Sequence, residues 1–167
     1  MIRKKKLYSR PTNPFEKSRI EEENVLVKKY GLKNKREVWK ALAKVNYFRK
    51  RAMALVESPI EEQEVFFNKL KKVGLNASTI TEVLALNIED LLKRRLPTVV
   101  LGKGLANTAK QARQFVVHKG ISIGGKIVDS PSYIVSVDEE NIINSNIDLK
   151  AASRDKETKN EEAVQNG

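Results

Sequence analysis

The sequence predicts an α+β, mainly helical protein, with an N-terminal helical domain followed by a small module of helices packed on a short antiparallel sheet. Three observations carry this. Helix cap and stop signals recur from Asn13 to Gly120, and short apolar alternations fill the stretch from Ile121 to Val137. Leu, Ile, Val and Phe make up about 29% of the 167 residues, above the rough 20% below which chains stay disordered. The expected parts are a basic arm at 1–12, a helical domain at 13–91, the module at 92–140 and a polar tail at 141–167, for which disorder is expected.

The opening, Ile2 to Arg10, carries Arg3, Lys4, Lys5, Lys6 and Arg10 and almost nothing to bury, so it reads as an arm that orders on a partner. Asn13-Pro14 pairs an N-cap with a first-turn proline and opens a helix to about Tyr30, where Gly31 is the stop. Asn34 caps a longer helix to about Val56, with Glu37 completing a capping box. Val38, Leu42, Val45 and Ala52 line its inner stripe. Lys40, Lys44, Arg49, Lys50 and Arg51 charge the remaining surface, and Trp39, Tyr47 and Phe48 interleave with them.

Ser58-Pro59 with Glu61 repeats the cap, proline and capping-box arrangement for a helix to about Val73, ended by Gly74. Thr79 with Glu82 and Asn87 with Asp90 open two short helices, the second holding Leu91, Leu92 and the run Lys93-Arg94-Arg95-Leu96. Pro97 then removes a backbone donor, which leaves either a kinked helix or a second helix with Pro97 in its first turn. Thr108 with Gln111 is a capping box opening a helix to Lys119, closed by Gly120. Ala109, Ala112, Phe115 and Val116 fall on one arc of it, and Lys110, Gln111, Arg113, Gln114 and His118 on the opposite one. Ile121/Ile123, Ile127/Val128 and Ile134/Val135/Val137, separated by Gly124-Gly125 and Ser130-Pro131, read as the strands of the sheet.

The net charge of +11 is strongly segmented. Residues 1–51 hold 17 basic and five acidic groups, and 91–133 hold eight and one, whereas 52–90 and 134–167 are each acidic by four. Two separated basic surfaces suit the grip of a phosphate backbone. Other classes are poorly supported. The absence of cysteine removes disulfide frameworks and cysteine zinc sites. The longest apolar run, Ala52 to Val56, is five residues, against the roughly 18 that span a bilayer. No signal segment is recognisable, so a soluble, cytoplasmic protein without membrane partner is expected.

Enzyme signatures fail as well. Gly102-Lys103-Gly104 lacks the spacing of a phosphate loop or dinucleotide fingerprint, and His118 is the single histidine, without an evident catalytic or metal-ligating partner. The acidic pairs Glu61/Glu62 and Asp138/Glu139 are explained by helix-start capping. No catalytic residue, metal or cofactor is expected. A helix-turn-helix reading of the cationic helices would make DNA the partner; charge alone does not choose between DNA and RNA.

Particular residues carry a resemblance. Arg94-Arg95-Leu96, Gly104-Leu105-Ala106-Asn107-Thr108-Ala109-Lys110-Gln111-Ala112-Arg113-Gln114, His118-Lys119-Gly120-Ile121, Gly125 and Ser130-Pro131-Ser132-Tyr133 closely resemble the RNA-binding module of the small-subunit ribosomal protein four family. Asn13-Pro14-Phe15, Arg19-Ile20-Glu21-Glu22-Glu23 and the run from Lys29 to Glu37 resemble its archaeal branch, so the likeness covers about residues 2–140. It implies a structural constituent of the small ribosomal subunit that binds small-subunit rRNA directly near a helix junction of the 5′ domain. It further implies early binding that nucleates assembly, a place beside ribosomal protein five and the mRNA entrance, and an influence on translational accuracy. The cysteine zinc site of some bacterial relatives cannot be present here.

By motif, the resemblance places the module's RNA face on Arg94, Arg95, Thr108, Lys110, Gln111, Arg113, Gln114, His118, Lys119 and Ser132. An N-terminal RNA surface is expected on charge alone at Lys4, Lys5, Lys6, Arg10, Lys33, Lys35, Arg36, Arg49, Lys50 and Arg51. Rivals using the same module are RNA-modifying enzymes, a tyrosyl-tRNA synthetase and ribosome-associated or rescue-type RNA-binding proteins. Residues 1–90 show no catalytic domain, and a rescue protein would lack the N-terminal likeness.

Overall fold

The structure is a computed structural model describing residues 6–146, so Lys4 and Lys5 and the tail beyond Asn146 lie outside the described residues. Helices α1 (Lys17–Lys29), α2 (Lys35–Ala54), α3 (Ile60–Val73), α4 (Ile80–Ala85) and α5 (Ile88–Lys93) form the first part. Val38, Ala41, Val45 and Ala52 recur three, four and seven positions apart on α2 and are buried against Leu70, Val83, Leu91 and Leu92, the 3.6-residue period of a packed helix face. Leu42, expected on that stripe, is exposed, because the arc of the buried four leaves it on the flank.

Helix starts depart from their sequence signals in places. The first helix begins at Lys17 with Glu16 as its cap, because the backbone carbonyls of Asn13 and Pro14 accept from the Arg19 guanidinium. The third begins after Pro59, with Gln63 instead of Ser58 closing the turn through bonds to the carbonyls of Leu55 and Ser58. At the next two helices the cap signals hold. Thr79 and Glu82 cap α4 reciprocally, and the Asp90 carboxylate accepts from the Asn87 amide at 3.0 Å.

The module comprises α6 (Leu96–Gly102), α7 (Ala109–Val117), β1 (Ile121–Ile123), β2 (Lys126–Ile127), α8 (Val137–Glu140) and β3 (Ile143–Ser145). Pro97 stands at the start of α6, where its missing N–H costs nothing. Of the two courses the proline allowed, the separate helix is the one formed. Buried Leu96, Val100, Ala112, Phe115, Val116 and Ile121 make the core of this part. Strand β1 is central, paired antiparallel with β2 and β3, and Gly124 and Gly125, both at positive φ, make the two-residue hairpin between β1 and β2.

Two expectations about this sheet are corrected. Its third strand is Ile143–Ser145, so the segment assigned to a tail from residue 141 contributes an ordered edge. The stretch Ile134 to Val137 is no strand. Ile134 makes a single bridge to Arg95, and Ser136 then caps α8 reciprocally with Glu139, pulling Val137 into a helix. The stop of α7 also differs by one position. Lys119 takes the left-handed conformation at φ 62° while the Gly120 amide donates to the Phe115 carbonyl, so the strained position falls on lysine.

Candidate nucleic-acid interface

Helix α7 is positioned by its cap and its apolar face. The Thr108 hydroxyl accepts from the Gln111 amide at 3.2 Å, and the Gln111 side chain accepts from the Asn107 amide at 2.9 Å, so two of the amides at this helix start are satisfied internally. Ala112, Phe115 and Val116 are buried against α6. That leaves Lys110, Gln114, His118 and Lys119 exposed on the outer side, joined at the margin by exposed Thr108.

Arg113 lies on the same helix and does something else. Its guanidinium reaches across to Glu37 of α2 with two bonds, at 3.0 and 2.8 Å, and Arg95 donates to the same carboxylate at 2.7 Å and to the Pro131 carbonyl at 3.0 Å. Arg95 is only 7% exposed. Burial pushes the Glu37 carboxyl up, but the hydrogen bonds and charges of Arg113 and Arg95 outweigh it and hold the group below its ordinary range. Glu37 therefore serves as an ionic link between the helical part and the module, and at the helix start it accepts from the Lys33 amide at 3.4 Å instead of that of Asn34.

Two more contacts extend this seam. Gly31, at φ 58°, brings its backbone against the first turn of α7, where a Cβ would stand 2.8 Å from the Ala109 carbonyl group. Arg94 lies over Gly74, donates to Glu140 at 2.7 Å and to the Val135 carbonyl at 3.1 Å, and is mostly buried. Arg94, Arg95 and Arg113 are thus joined to this chain's own acceptors. Gly31 lies against the first turn of α7 and Glu37 binds Arg113, so the segment 31–37, which carries exposed Lys33 and Arg36, meets the helix that carries exposed Lys110, and the two basic blocks of the sequence share a boundary.

The remaining expected residues divide the same way. Lys6, Arg10, Lys50 and Arg51 are exposed, and exposed Ser132 has its hydroxyl 3.3 Å from that of Ser130. Lys35 is 3.6 Å from the buried Glu23 carboxylate, and Arg49 donates to the Leu86 carbonyl at 2.7 Å. Glu23 also accepts from Arg19 at 2.7 Å and Trp39 at 2.8 Å. Burial raises its carboxyl, and Trp39, Arg19 and Lys35 together bring it below its usual value.

A cleft of about 630 Å³ opens between α2 and the module, with Lys40, Lys44 and Tyr47 on its α2 side and Pro131, Ser132 and Ile134 opposite. Sequence reasoning gave these α2 residues a surface role and no site. Their spacing of four and three positions was the available signal for a shared face.

The fold and this cationic surface define an S4-domain protein, the domain match covering residues 94–141, carried on a helical scaffold. Similarity extends over nearly the whole chain. The small ribosomal subunit protein uS4 of Saccharolobus islandicus is 44% identical over 157 residues, spanning 90% of this chain and 87% of the relative. Its counterpart from Saccharolobus solfataricus is 43% identical over the same shares, and that from Methanococcus aeolicus 42% identical over 83% of this chain and 82% of the relative. The chain belongs to the uS4 family of small ribosomal subunit proteins, in its archaeal branch.

Proposed function

We propose that this chain is a structural, non-enzymatic constituent of the small ribosomal subunit that binds small-subunit rRNA directly. The observation that carries the reading is the seam, which joins the segment bearing Lys33 and Arg36 to the helix bearing Lys110 in a chain 44% identical to relatives named small ribosomal subunit protein uS4. The exposed cations Lys6, Arg10, Lys33, Arg36, Lys50, Arg51, Lys110 and Lys119 supply phosphate contacts, with Thr108, Gln114, His118 and Ser132 as hydrogen-bonding neighbours. Lys35, Arg49, Arg94, Arg95 and Arg113 hold the shape of that surface.

On the same reading the RNA is the 5′ domain, binding comes early and nucleates its assembly, and the protein works in the cytoplasm. Its neighbours are ribosomal protein five and the mRNA entrance, and its position affects translational accuracy. The test is a filter-binding titration against the 5′-domain rRNA fragment, with duplex DNA and an unrelated structured RNA as competitors at two salt concentrations. Selective binding that survives competitor and salt is the expected result. Equal binding to all three, collapsing with salt, overturns it.

A further inference from the structure

We infer that one face of α2, from Lys40 through Lys44 and Tyr47 to Arg51, is a track for a single-stranded segment of RNA, with the Tyr47 ring as the platform on which an unpaired base stacks. The inference rests on the RNA-binding reading above and names the form of RNA this face takes. Lys40, Lys44, Tyr47 and Arg51 are spaced four, three and four positions apart, so they form one stripe along the helix. From Lys40 to Arg51 that stripe is about 16 Å long at 1.5 Å per residue.

The stripe is continuous as a groove. The cleft of about 630 Å³ beside the module and a second of about 480 Å³ between α2 and α3 share Lys44 and Tyr47 as lining residues. Among the described residues the two together are lined by six cationic side chains and two anionic ones. Among the described residues Arg95 and Arg113 share the one carboxylate of Glu37, so this wall of the first cleft keeps a positive excess. This sign excludes a cationic guest and fits a phosphate chain.

The apolar surface within the groove fits bases better than the phosphates of a duplex. Leu7, Ala43 and Ile134 line the first cleft, and Phe48, Val65 and Phe66 the second, each at least partly exposed. Tyr47 stands where the two meet and is 63% exposed, although a tyrosine on a helix this well packed has apolar neighbours available to cover it. Burial lowers the pKa of Lys44, and a phosphate seated beside it would oppose that effect. Cationic groups tracking a backbone with an aromatic ring between them are the elements of single-strand binding.

The test uses the full chain and a fluorescently labelled hexauridylate, alongside the 5′-domain rRNA fragment. Tyr47→Ala is expected to weaken the hexanucleotide about 5- to 150-fold, the cost of losing one base–aromatic stack. Tyr47→Phe, which keeps the ring, is expected to bind within about twofold of the parent. Lys40→Gln with Lys44→Gln should lower the slope of log affinity against log salt by about 1.4. Unfolding midpoints of all variants check that the fold is retained. No binding of the hexanucleotide by the parent protein, unchanged affinity in Tyr47→Ala, or equal loss in Tyr47→Phe each overturns the track. Selective rRNA binding by the parent with any of those results sinks the track alone; hexanucleotide binding without rRNA selectivity sinks the rRNA reading alone.

Discussion

Arg113 and Lys110 stand one turn apart on α7 and carry the same charge, yet they belong to two different regions. Arg113 lies in the seam, fixed to Glu37 by two bonds, while Lys110 lies on the outer surface with no ion pair among the described residues. The difference comes from what each region faces. In the seam, water is largely replaced by protein, and a guanidinium there is stable because a carboxylate meets its planar donors. On the outside, solvent keeps an ammonium charged at little cost and leaves it free for a phosphate. Net charge therefore overstates the binding capacity of this protein, since part of it holds the two parts together.

The sharpest way to break this distinction is Glu37→Ala. It leaves Arg95 and Arg113 without their shared partner, and the expected loss is about 3–5 kcal/mol, the range for removing one member of a buried ion pair. Urea unfolding measures it; a loss under about 1 kcal/mol would place the seam among ordinary surface salt bridges. Next comes Gly31→Ala. A side chain at φ 58° costs about 1–2 kcal/mol, and here it also meets rigid backbone of Ala109 at 2.8 Å. Gly102→Ala, with no atom of the described residues within 4 Å of the added carbon, is the control and should be neutral or slightly stabilising.

Acid gives a third, graded comparison. Glu37 and Glu23 both have folded pKa values below the ordinary 4.5, so their stabilising contribution is fully present above that pH. It is lost as pH falls through the lowered folded values. Unfolding free energy should therefore drop on acidification below about pH 4.5, and the drop should be shallower in Glu37→Gln. An equally steep fall in the variant would assign the acid sensitivity to other carboxylates. The smallest expected effect is on the outer surface. Lys110→Gln should leave stability within about 0.5 kcal/mol and reduce the salt slope of rRNA binding by about 0.7–0.9. A large stability loss there would erase the distinction between the two regions.

What the sequence made legible was local. The caps of α4, α5 and α7 involve residues three or four apart, and the buried arc of α7 follows from spacing alone. The seam was out of reach because Glu37 lies 58 residues from Arg95 and 76 from Arg113; seen singly, each arginine has the chemistry of a phosphate ligand. Strand β3 was equally hidden. Ile143 is its one buried residue, and its extended shape is owed to pairing with β1, 20 residues upstream by the register of Ile123 with Ile143. Ser136 with Glu139 was readable as a cap, and the apolar run Ile134–Val135 with Val137 outweighed it.

The separation that hid the seam also orders events during synthesis. Glu37 leaves the ribosome 76 residues before the arginine that grips it with two bonds, an interval on the order of 4–15 s at about 5–20 residues per second. Arg95 follows Glu37 by 58 residues and Arg113 by 76, so α2 emerges with a carboxylate whose full set of counter-ions is completed only at the end of that interval. The ion pairs of the seam thus belong to the last contacts the chain can make, after its helices have formed locally.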